Sequence, residues 1–549
     1  MHLSDITPLE CMYYWEKNTP DDIYLRQAHN LEWQEFTWAQ VADRVRRTAS
    51  FINSFNLAKG SRIALWSANS MDWVIVDLAI MLSGHVSVPL YPGQDISSAN
   101  YILDHAECDL MFLGVVDQLP AIAAGEIQRK IPTIAMLGCT IDCEYSLANV
   151  VNEYEPFAES PIPNDEDMMT ILYTSGTTGN PKGVVHVHGT PGKVVPRMID
   201  AWPIDHLPGQ RERYFSFLPM SHAAERIVVE MGSFYLSPTV SFSEGLATFG
   251  DELRSVQPTL FFAVPRLWAK FKAGVDAKVP PEVQAQMGDE QKAQVRAMLG
   301  LAQAKFVITG SAPTPIEIQE WFINMGINLR DGYGMTENFI DGCIFNEKEP
   351  VPGCVGKPFK GTEVKISEDG EVCFKGAGLM QGYYKNPEKT AEVMIDGWYH
   401  TGDSGRIDEK GNLWVTGRLG EVFKTTKGKF VQPPVLENEF GGVHILGQLM
   451  IFGHGKDQPM LLTNLSEVGL ASGKSRAELT EQLTAALEQI NEHLPAYEKV
   501  AQMFITKEDW RIDNGLLTPT MKLKRRQIEE HYGDFIHAHL GSDPVVWED

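Results

Sequence analysis

The sequence predicts an α/β protein: a large N-terminal domain of doubly wound parallel sheets carrying a small β-rich subdomain, followed by a small, mobile α+β C-terminal domain. Three observations predict it. Short β-rich runs ending in Gly, Ser or Asn alternate with helical stretches, as strands and crossover helices do in parallel sheets. After about residue 350 the runs become brief and are separated by Gly and Asp-Gly turns, the pattern of a β-rich subdomain. The last region holds one clear amphipathic helix.

In chain order, Arg62-Ile-Ala-Leu-Trp66 reads as a strand running into Ser67-Ala-Asn-Ser70. The most apolar stretch, Trp73 to Leu90, is interrupted by Asp77, Ser83, Gly84 and His85. It is too short and too broken to span a bilayer and is predicted to be a buried helix running into a strand. Met169-Thr-Ile-Leu-Tyr173 is a strand before a Gly/Thr loop. Thr259-Leu-Phe-Phe-Ala-Val264 is a strand before a helix over Arg266–Phe271, and Lys305-Phe-Val-Ile-Thr309 is a strand ending in Gly310-Ser311. Ligands of doubly wound sheets collect at loops beyond the strand C-termini, where the Gly/Thr loop and Gly310-Ser311-Ala312-Pro313 both lie. Val364–Ser367, Glu371–Phe374 and Asn412–Val415 are the brief strands of the subdomain. Leu479, Leu483, Leu487, Ile490 and Leu494 recur at helical spacing, with Ser475 and Glu478 as a capping box. The joint is placed near Gly417-Arg-Leu-Gly420. It divides residues 1–419, with the β-rich part at about 350–419, from a lid domain, 420–549.

Composition narrows the class. With 43% hydrophobic and 10% aromatic residues in 549, the chain can bury a large core, which excludes dominant disorder. A net charge of −25 repels nucleic acid, so any phosphate binding must use a local concentration of positive groups. Seven scattered cysteines without a C-x-x-C pair read as reduced thiols; Cys139 and Cys143 can lie together, but not as a metal site. The start, MHLSDITPLE, has no signal-peptide pattern, so a cytoplasmic protein is expected, with peripheral contact at the inner face of a membrane left open. His186-Val-His188 sits on a strand with both rings on one face and reads as packing rather than metal binding.

Tyr173-Thr-Ser-Gly-Thr-Thr-Gly-Asn-Pro-Lys-Gly-Val184 carries the most chemistry. Gly176, Gly179 and Gly183 let backbone N–H groups face a polyphosphate, Thr174, Ser175, Thr177 and Thr178 add hydroxyls, and Lys182 adds charge. It is not a Walker A loop, because Pro181 stands where that pattern needs glycine. This loop resembles the signature loop of the acyl-adenylate-forming (AMP-binding) superfamily, which includes acyl-CoA synthetases, luciferases and nonribosomal-peptide adenylation domains. Further motifs agree in order and spacing, so the resemblance covers nearly the whole chain.

The resemblance implies roles for the other motifs. In Asp331-Gly-Tyr-Gly-Met-Thr-Glu337, Tyr333 lies against adenine, Asp331 and Gly334 belong to the nucleotide site, Thr336 contacts the α-phosphate and Glu337 holds Mg²⁺. One carboxylate plus phosphate oxygens is an ordinary magnesium site. Gly310, Ser311 and Ala312 pass beside adenine. In Tyr399-His-Thr-Gly-Asp403 the aspartate receives both ribose hydroxyls, which suits an acceptor-only carboxylate, and Arg418 contacts ribose and phosphate. Thr518-Pro-Thr-Met-Lys-Leu-Lys-Arg-Arg526 resembles the catalytic-lysine motif, with Lys522 as the amine and Lys524 as the competing assignment. Gly420 stands at the hinge, where the family usually has Asp or Lys. Lys427-Gly428-Lys429 lies where the family approaches the coenzyme A thiol.

The implied reaction is ATP-dependent formation of acyl-AMP with release of pyrophosphate, then acyl transfer to coenzyme A. Leu218-Pro-Met-Ser-His-Ala-Ala-Glu-Arg226 and Val264-Pro-Arg-Leu-Trp268 look most like the long-chain fatty acyl-CoA synthetase branch. In that reading His222 sits at the acyl-pocket entrance; a core-packed histidine is its alternative. The competing expectations are a medium-chain or aryl acid, a carrier-protein thiol as acceptor, and a non-catalytic acyl- or nucleotide-binding regulator.

Overall fold

A computed structural model describes residues 2–174, 180–202, 211–426, 428–518 and 521–549. Two large sheets organise the chain up to about residue 383. One runs Gly382–Tyr383, Lys182–Val187, Met168–Thr174, Val86–Leu90, Arg62–Trp66, Cys108–Leu113, Thr133–Ala135, Tyr145–Ser146 in spatial order. It is parallel except where Lys182–Val187 pairs antiparallel with its two neighbours. The other has a parallel centre, Leu329–Tyr333, Phe306–Thr309, Leu260–Ala263, Arg213–Ser216, Thr239–Phe242 and Ile23–His29. The predicted strands at Arg62, Met169, Thr259 and Lys305 all fall in these sheets.

The largest core lies between the sheets and takes residues from both, including Leu65, Leu172, Tyr214, Val240 and Phe262. Helix Met71–Leu82 passes through it buried on every side, as an all-round apolar sequence requires, and leads into strand Val86–Leu90. Of its two acidic residues, Asp72 lies in the first turn, and Asp77, at mid-helix, is 0% exposed and receives a bidentate pair from Arg226 at 2.7 and 2.8 Å. Arg226 opens a π-helical turn, Arg226–Met231, and also donates to Thr170 on the strand that leads into the Gly/Thr loop. A buried ion pair therefore ties helix Met71–Leu82 to both the His222 segment and the loop's supporting strand.

The brief strands form an antiparallel sheet of Glu363–Ile366, Glu371–Lys375, Trp398–Ile407, Met394–Ile395 and Leu413–Arg418. Beyond it, Leu446–Phe452, Met460–Leu465, Met503–Thr506 and Val545–Trp547 make a mixed sheet with core clusters of its own, drawn from Phe423 onward. Helix Arg476–His493 packs there through Leu479, Leu483 and Leu487, with the Ser475–Glu478 capping box formed; Leu494 is its C-cap rather than part of it. One expectation needs correcting. Strand Lys182–Val187 ends before His188, which is the N-cap of helix Gly189–Ala201, so the two histidines do not share a strand face. No described helix is long and apolar enough to cross a membrane.

Removing one partner of a buried ion pair leaves an uncompensated charge in a low-dielectric core. Arg226→Ala is therefore expected to destabilise the protein by about 3–5 kcal/mol in urea unfolding, and adding Asp77→Asn should recover part of the loss.

Candidate active site

Strands Phe306–Thr309 and Leu329–Tyr333 are parallel neighbours, with Thr309 opposite Asp331, so the loops after them leave the same edge. They touch closely: a Cβ on Gly310 would lie 3.0 Å from the Gly332 carbonyl oxygen. Asp331 is buried, which pushes its carboxyl up to about 8, and its Oδ2 accepts from Gln319 Nε2 at 3.0 Å. Gln319 also donates to the Thr314 carbonyl, while the Thr309 and Thr314 hydroxyls are 2.7 Å apart. Asp331 thus pins the Gly310–Ser311–Ala312 loop, in which Ser311 takes φ +69°.

The ribose motif meets the tyrosine motif. Tyr333 donates its hydroxyl to Asp403 Oδ2 at 2.5 Å, and Arg418 Nε lies 2.8 Å from Asp403 Oδ1. The pairing of Trp398–Ile407 with Leu413–Arg418 puts Asp403 directly opposite Arg418. Burial raises the Asp403 pKa, opposed by Arg418, the Tyr333 hydrogen bond and Lys522. Each carboxylate oxygen has a second acceptor direction beyond these partners.

Glu337 sits in a 3₁₀ turn, Thr336–Asn338, that starts two residues after Gly334, where an added Cβ would lie 2.8 Å from Ile340 Cα. The turn is followed by Phe339 and Ile340 at φ +52° and +47°. Two bulky residues in the left-handed region store local strain, and such strain gathers at functional sites. Glu337 Oε1 accepts from the Tyr383 hydroxyl at 3.0 Å, and Lys182 Nζ stands 5.3 Å from the centre of the Tyr383 ring. Burial, then Lys389, lowers the Lys182 pKa, while Glu337 opposes the shift. His186 Nε2 donates to the Thr336 carbonyl at 2.7 Å, which fixes its tautomer and gives it a packing and positioning role. Thr174 pairs with Lys182 across the hairpin. Ser175, Gly176, Thr177, Thr178 and Gly179 between them lie outside the described residues.

His222 caps the short helix that precedes the π turn, its Nδ1 accepting from the Ala224 N–H at 3.2 Å. Burial and then the charge of Lys522 push it down to about 4, so the ring is neutral near pH 7. The charge of Lys522 is thus felt at His222, three hundred residues earlier in the sequence. Desolvation, then Arg418, lowers the Lys522 pKa; Asp403, Glu337 and Glu421 oppose this. The residue nonetheless keeps substantial solvent exposure, as a side chain surrounded by protein groups in an open cleft does. Its segment is anchored by Arg525, whose guanidinium meets both Glu437 oxygens at 2.7 Å and Glu421 at 3.2 Å. Lys524 instead caps helix Arg525–His531, its N–H donating to the Leu516 carbonyl.

The remaining residues singled out from the sequence follow Arg418 in the chain. Gly420 sits in the 3₁₀ turn Leu419–Glu421, with open space around an added Cβ. Gly428, at φ +76°, turns the hairpin between Phe423–Lys424 and Phe430–Val431. Lys429 is exposed, its Nζ 5.9 Å from the Tyr497 ring. Lys427 is outside the described residues. Sequence reasoning missed Tyr383, Tyr399, Gln319 and the role of His186. Tyr399 joins Glu337 and Tyr383 in one cluster. Tyr399 opens the motif that holds Asp403 and Tyr383 belongs to no motif, and only the fold shows that both face Glu337.

Glu337 in its turn, Asp403 with Tyr333 and Arg418, Lys182 after the Gly/Thr loop and Lys522 from late in the chain gather in one charge neighbourhood, the set expected of an adenylate-forming class of enzyme. Family comparison agrees: residues 13–384 match the AMP-binding enzyme family and residues 421–541 its C-terminal domain, and the chain belongs to that family. It is 27% identical to the long-chain-fatty-acid--CoA ligase FadD15 of Mycobacterium bovis, over 95% of each chain. It is 26% identical to long chain acyl-CoA synthetase 2 of Arabidopsis thaliana, over 90% of this chain and 86% of that one. The fold is shared with the adenylation domain of a carboxylate reductase from Mycobacterium chelonae (TM-score 0.79, 21% identity, 97% and 91% covered). It is also shared with the anthranilate CoA ligase AuaEII in complex with anthranoyl-AMP (TM-score 0.78, 19% identity, 97% and 98% covered).

The Asp331 geometry makes a pH prediction. Its folded pKa, about 8, is raised above the ordinary 3.8, so between these values the native state holds more protons than the unfolded state. Stability contributed here falls as pH rises through that window. Urea midpoints taken at pH 5 and pH 8 should show a shallower decline for Asp331→Asn than for the parent chain.

Proposed function

We propose that this chain is an acid–thiol ligase that activates a fatty acid, long-chain by preference, with ATP and passes the acyl group to coenzyme A. The carrying observation is Lys522, an amine from the C-terminal domain held in one charge neighbourhood with Arg418, Asp403 and Glu337 and acting on His222. The long-chain preference draws on the relatives named above, which match end to end. A medium-chain or aryl acid is the competing substrate class, and a carrier-protein thiol the competing acceptor.

A carboxylate is a poor acyl donor, because its charge repels nucleophiles and oxide cannot leave. Attack of the carboxylate on the α-phosphate forms the acyl-AMP bond and breaks the bond to pyrophosphate, and the protein's work is alignment and charge stabilisation. In our reading the hydroxyls and N–H groups from Thr174 to Gly179 and Lys182 hold the phosphates. Gly310, Ser311, Ala312 and Tyr333 border adenine, with Asp331 holding the first three in place. Asp403 and Arg418 orient the ribose, and Thr336 meets the α-phosphate. Lys522 offsets the charge that develops there and on pyrophosphate. Neutral His222 lines the acyl entrance. Glu337 fits Mg²⁺ as a half-buried single carboxylate, a hard-oxygen donor of the kind the ion prefers; when bound the ion would supply positive charge to the phosphates. The coenzyme A thiolate then attacks the acyl carbon and AMP leaves.

We place the domain joint at Gly420, as the hinge between the two steps. Its conformation here neither requires glycine nor crowds a side chain, so its freedom serves another arrangement. Lys427, Gly428 and Lys429 are then available to coenzyme A.

Three outcomes follow. Lys522→Ala should slow carboxylate-dependent pyrophosphate exchange by about 100-fold or more while ATP binding changes little; silence at Lys522 with loss at Lys524→Ala overturns the assignment. Gly420→Ala should leave exchange within about twofold yet slow thioester release, because a Cβ restricts only the rotated state. Thioester formation across short- to long-chain and aryl acids should peak with long chains, and AMP release without a coenzyme A thioester would favour the carrier-protein acceptor.

A further inference from the structure

Behind the Asp403 turn, the β-rich sheet gathers three metal-ligating side chains that the reaction does not use. Glu371 and Cys373 are two apart on strand Glu371–Lys375, hence on one face, and the register sets His400 directly opposite Cys373. His400 Nδ1 is 2.6 Å from Glu371 Oε2 and 3.5 Å from Cys373 Sγ, and all three donor atoms lie within 4.8 Å of one another. We propose that Glu371, Cys373 and His400 form a binding site for a thiophilic divalent cation of the zinc class.

The geometry separates this from a thiol–imidazole–carboxylate relay. A relay uses both imidazole nitrogens, one for each neighbour. Here thiol and carboxylate converge on the same nitrogen, and its single proton serves only the carboxylate. Cys373 is 0% exposed, and among the described residues its sulfur otherwise meets the Glu371 carbonyl at 3.7 Å. A cation placed among the three would displace the thiol proton, released to solvent as the metal–sulfur bond forms, and would take the Nδ1 lone pair of the neutral imidazole, whose single proton moves to Nε2. Two hydrogen-bonded strands hold the donors in register before any ion arrives, as a precise site requires. Side-chain exposures of 16% for Glu371 and 21% for His400 leave an entry path and room for a water as fourth ligand. The mixed S, N, O set selects zinc-like ions over magnesium, which prefers oxygen alone.

Occupancy would reach the nucleotide cleft. Glu371 Oε1 accepts the Gly402 N–H at 2.7 Å, one residue before Asp403. A cation drawing on that carboxylate loosens the turn and weakens nucleotide binding. This consequence rests on the ribose role proposed for Asp403; the site itself does not.

Cobalt(II) titration tests the site, because thiolate ligation gives a sulfur-to-metal charge-transfer band. The protein carrying Cys139→Ser and Cys143→Ser, which removes the part-exposed pair of neighbouring thiols 3.9 Å apart, is the background. One equivalent of cobalt should develop the band there, zinc should displace it, and Cys373→Ser should abolish it. His400→Gln, a milder change, should weaken affinity by about tenfold or more. No band in the background, or a band unchanged in both variants, overturns the site. AMP affinity measured by calorimetry should fall on adding one equivalent of zinc to the background protein but not to its His400→Gln derivative; an unchanged affinity with the cobalt band present overturns the coupling alone.

Discussion

The amine of Lys522 lies far along the sequence from the carboxylates and guanidinium of Glu337, Asp403 and Arg418, and their meeting is the constraint on which the remaining geometry depends. Desolvation and Arg418 both work against the charged amine, so a lysine there is held by the carboxylates around it and by the anchoring of its segment. Arg525 supplies that anchoring through Glu437 and Glu421, within the C-terminal domain and just beyond Gly420. The segment is thus tied to the part of the chain that would turn at the joint, and Lys522 would move with it as a unit.

The large domain provides a frame that cannot move in the same way. Arg226, bonded to Asp77 and Thr170, connects the His222 segment to the strand under the phosphate loop, and nothing short of unfolding replaces those partners in an apolar core. Across the cleft, the close approach of Gly310 to Gly332 and the Asp331–Gln319–Thr314 network hold two loop beginnings side by side. Between them stands the strained turn after Glu337, stabilised by His186 at the Thr336 carbonyl and Tyr383 at the carboxylate. Strain of this kind persists only where its surroundings over-determine it, and here two strands paired in one sheet, far apart in sequence, do so.

The fold class and most polar groups of the cleft were legible because each motif is local: glycines, hydroxyls and lysine within ten residues, or an aspartate after a Gly turn. The choice of Lys522 over Lys524 was legible only as spacing; the structure adds that Lys524 caps a helix while Lys522 faces the cleft charges. What was hidden depends on partners remote in sequence. Tyr383 finds Glu337 across 46 residues and His186 finds Thr336 across 150, and neither distance leaves a local pattern. The end of the strand at Val187 was misjudged because apolar alternation continues through His188, whose backbone already belongs to the next helix. Left-handed Phe339 and Ile340 run against their own preferences, so no propensity argument would place them there.

Charge raises a question that the cleft itself answers. The chain carries a net −25, yet in physiological salt exposed charges beyond about 8 Å are largely screened, so the cleft's own groups decide whether a polyphosphate is held. The charges that act on Lys182 and Lys522, taken with those two, are four cations, Lys182, Lys389, Arg418 and Lys522, and four carboxylates, Glu337, Glu392, Asp403 and Glu421. They balance. Counted over these groups, a nucleotide triphosphate bound as proposed would meet little surplus positive charge, and its own charge would be best met by a cation that arrives with it. In that reading Glu337, steadied by Tyr383, is the carboxylate that would receive the ion, and the same balance would let AMP depart once pyrophosphate and its counter-ion have gone.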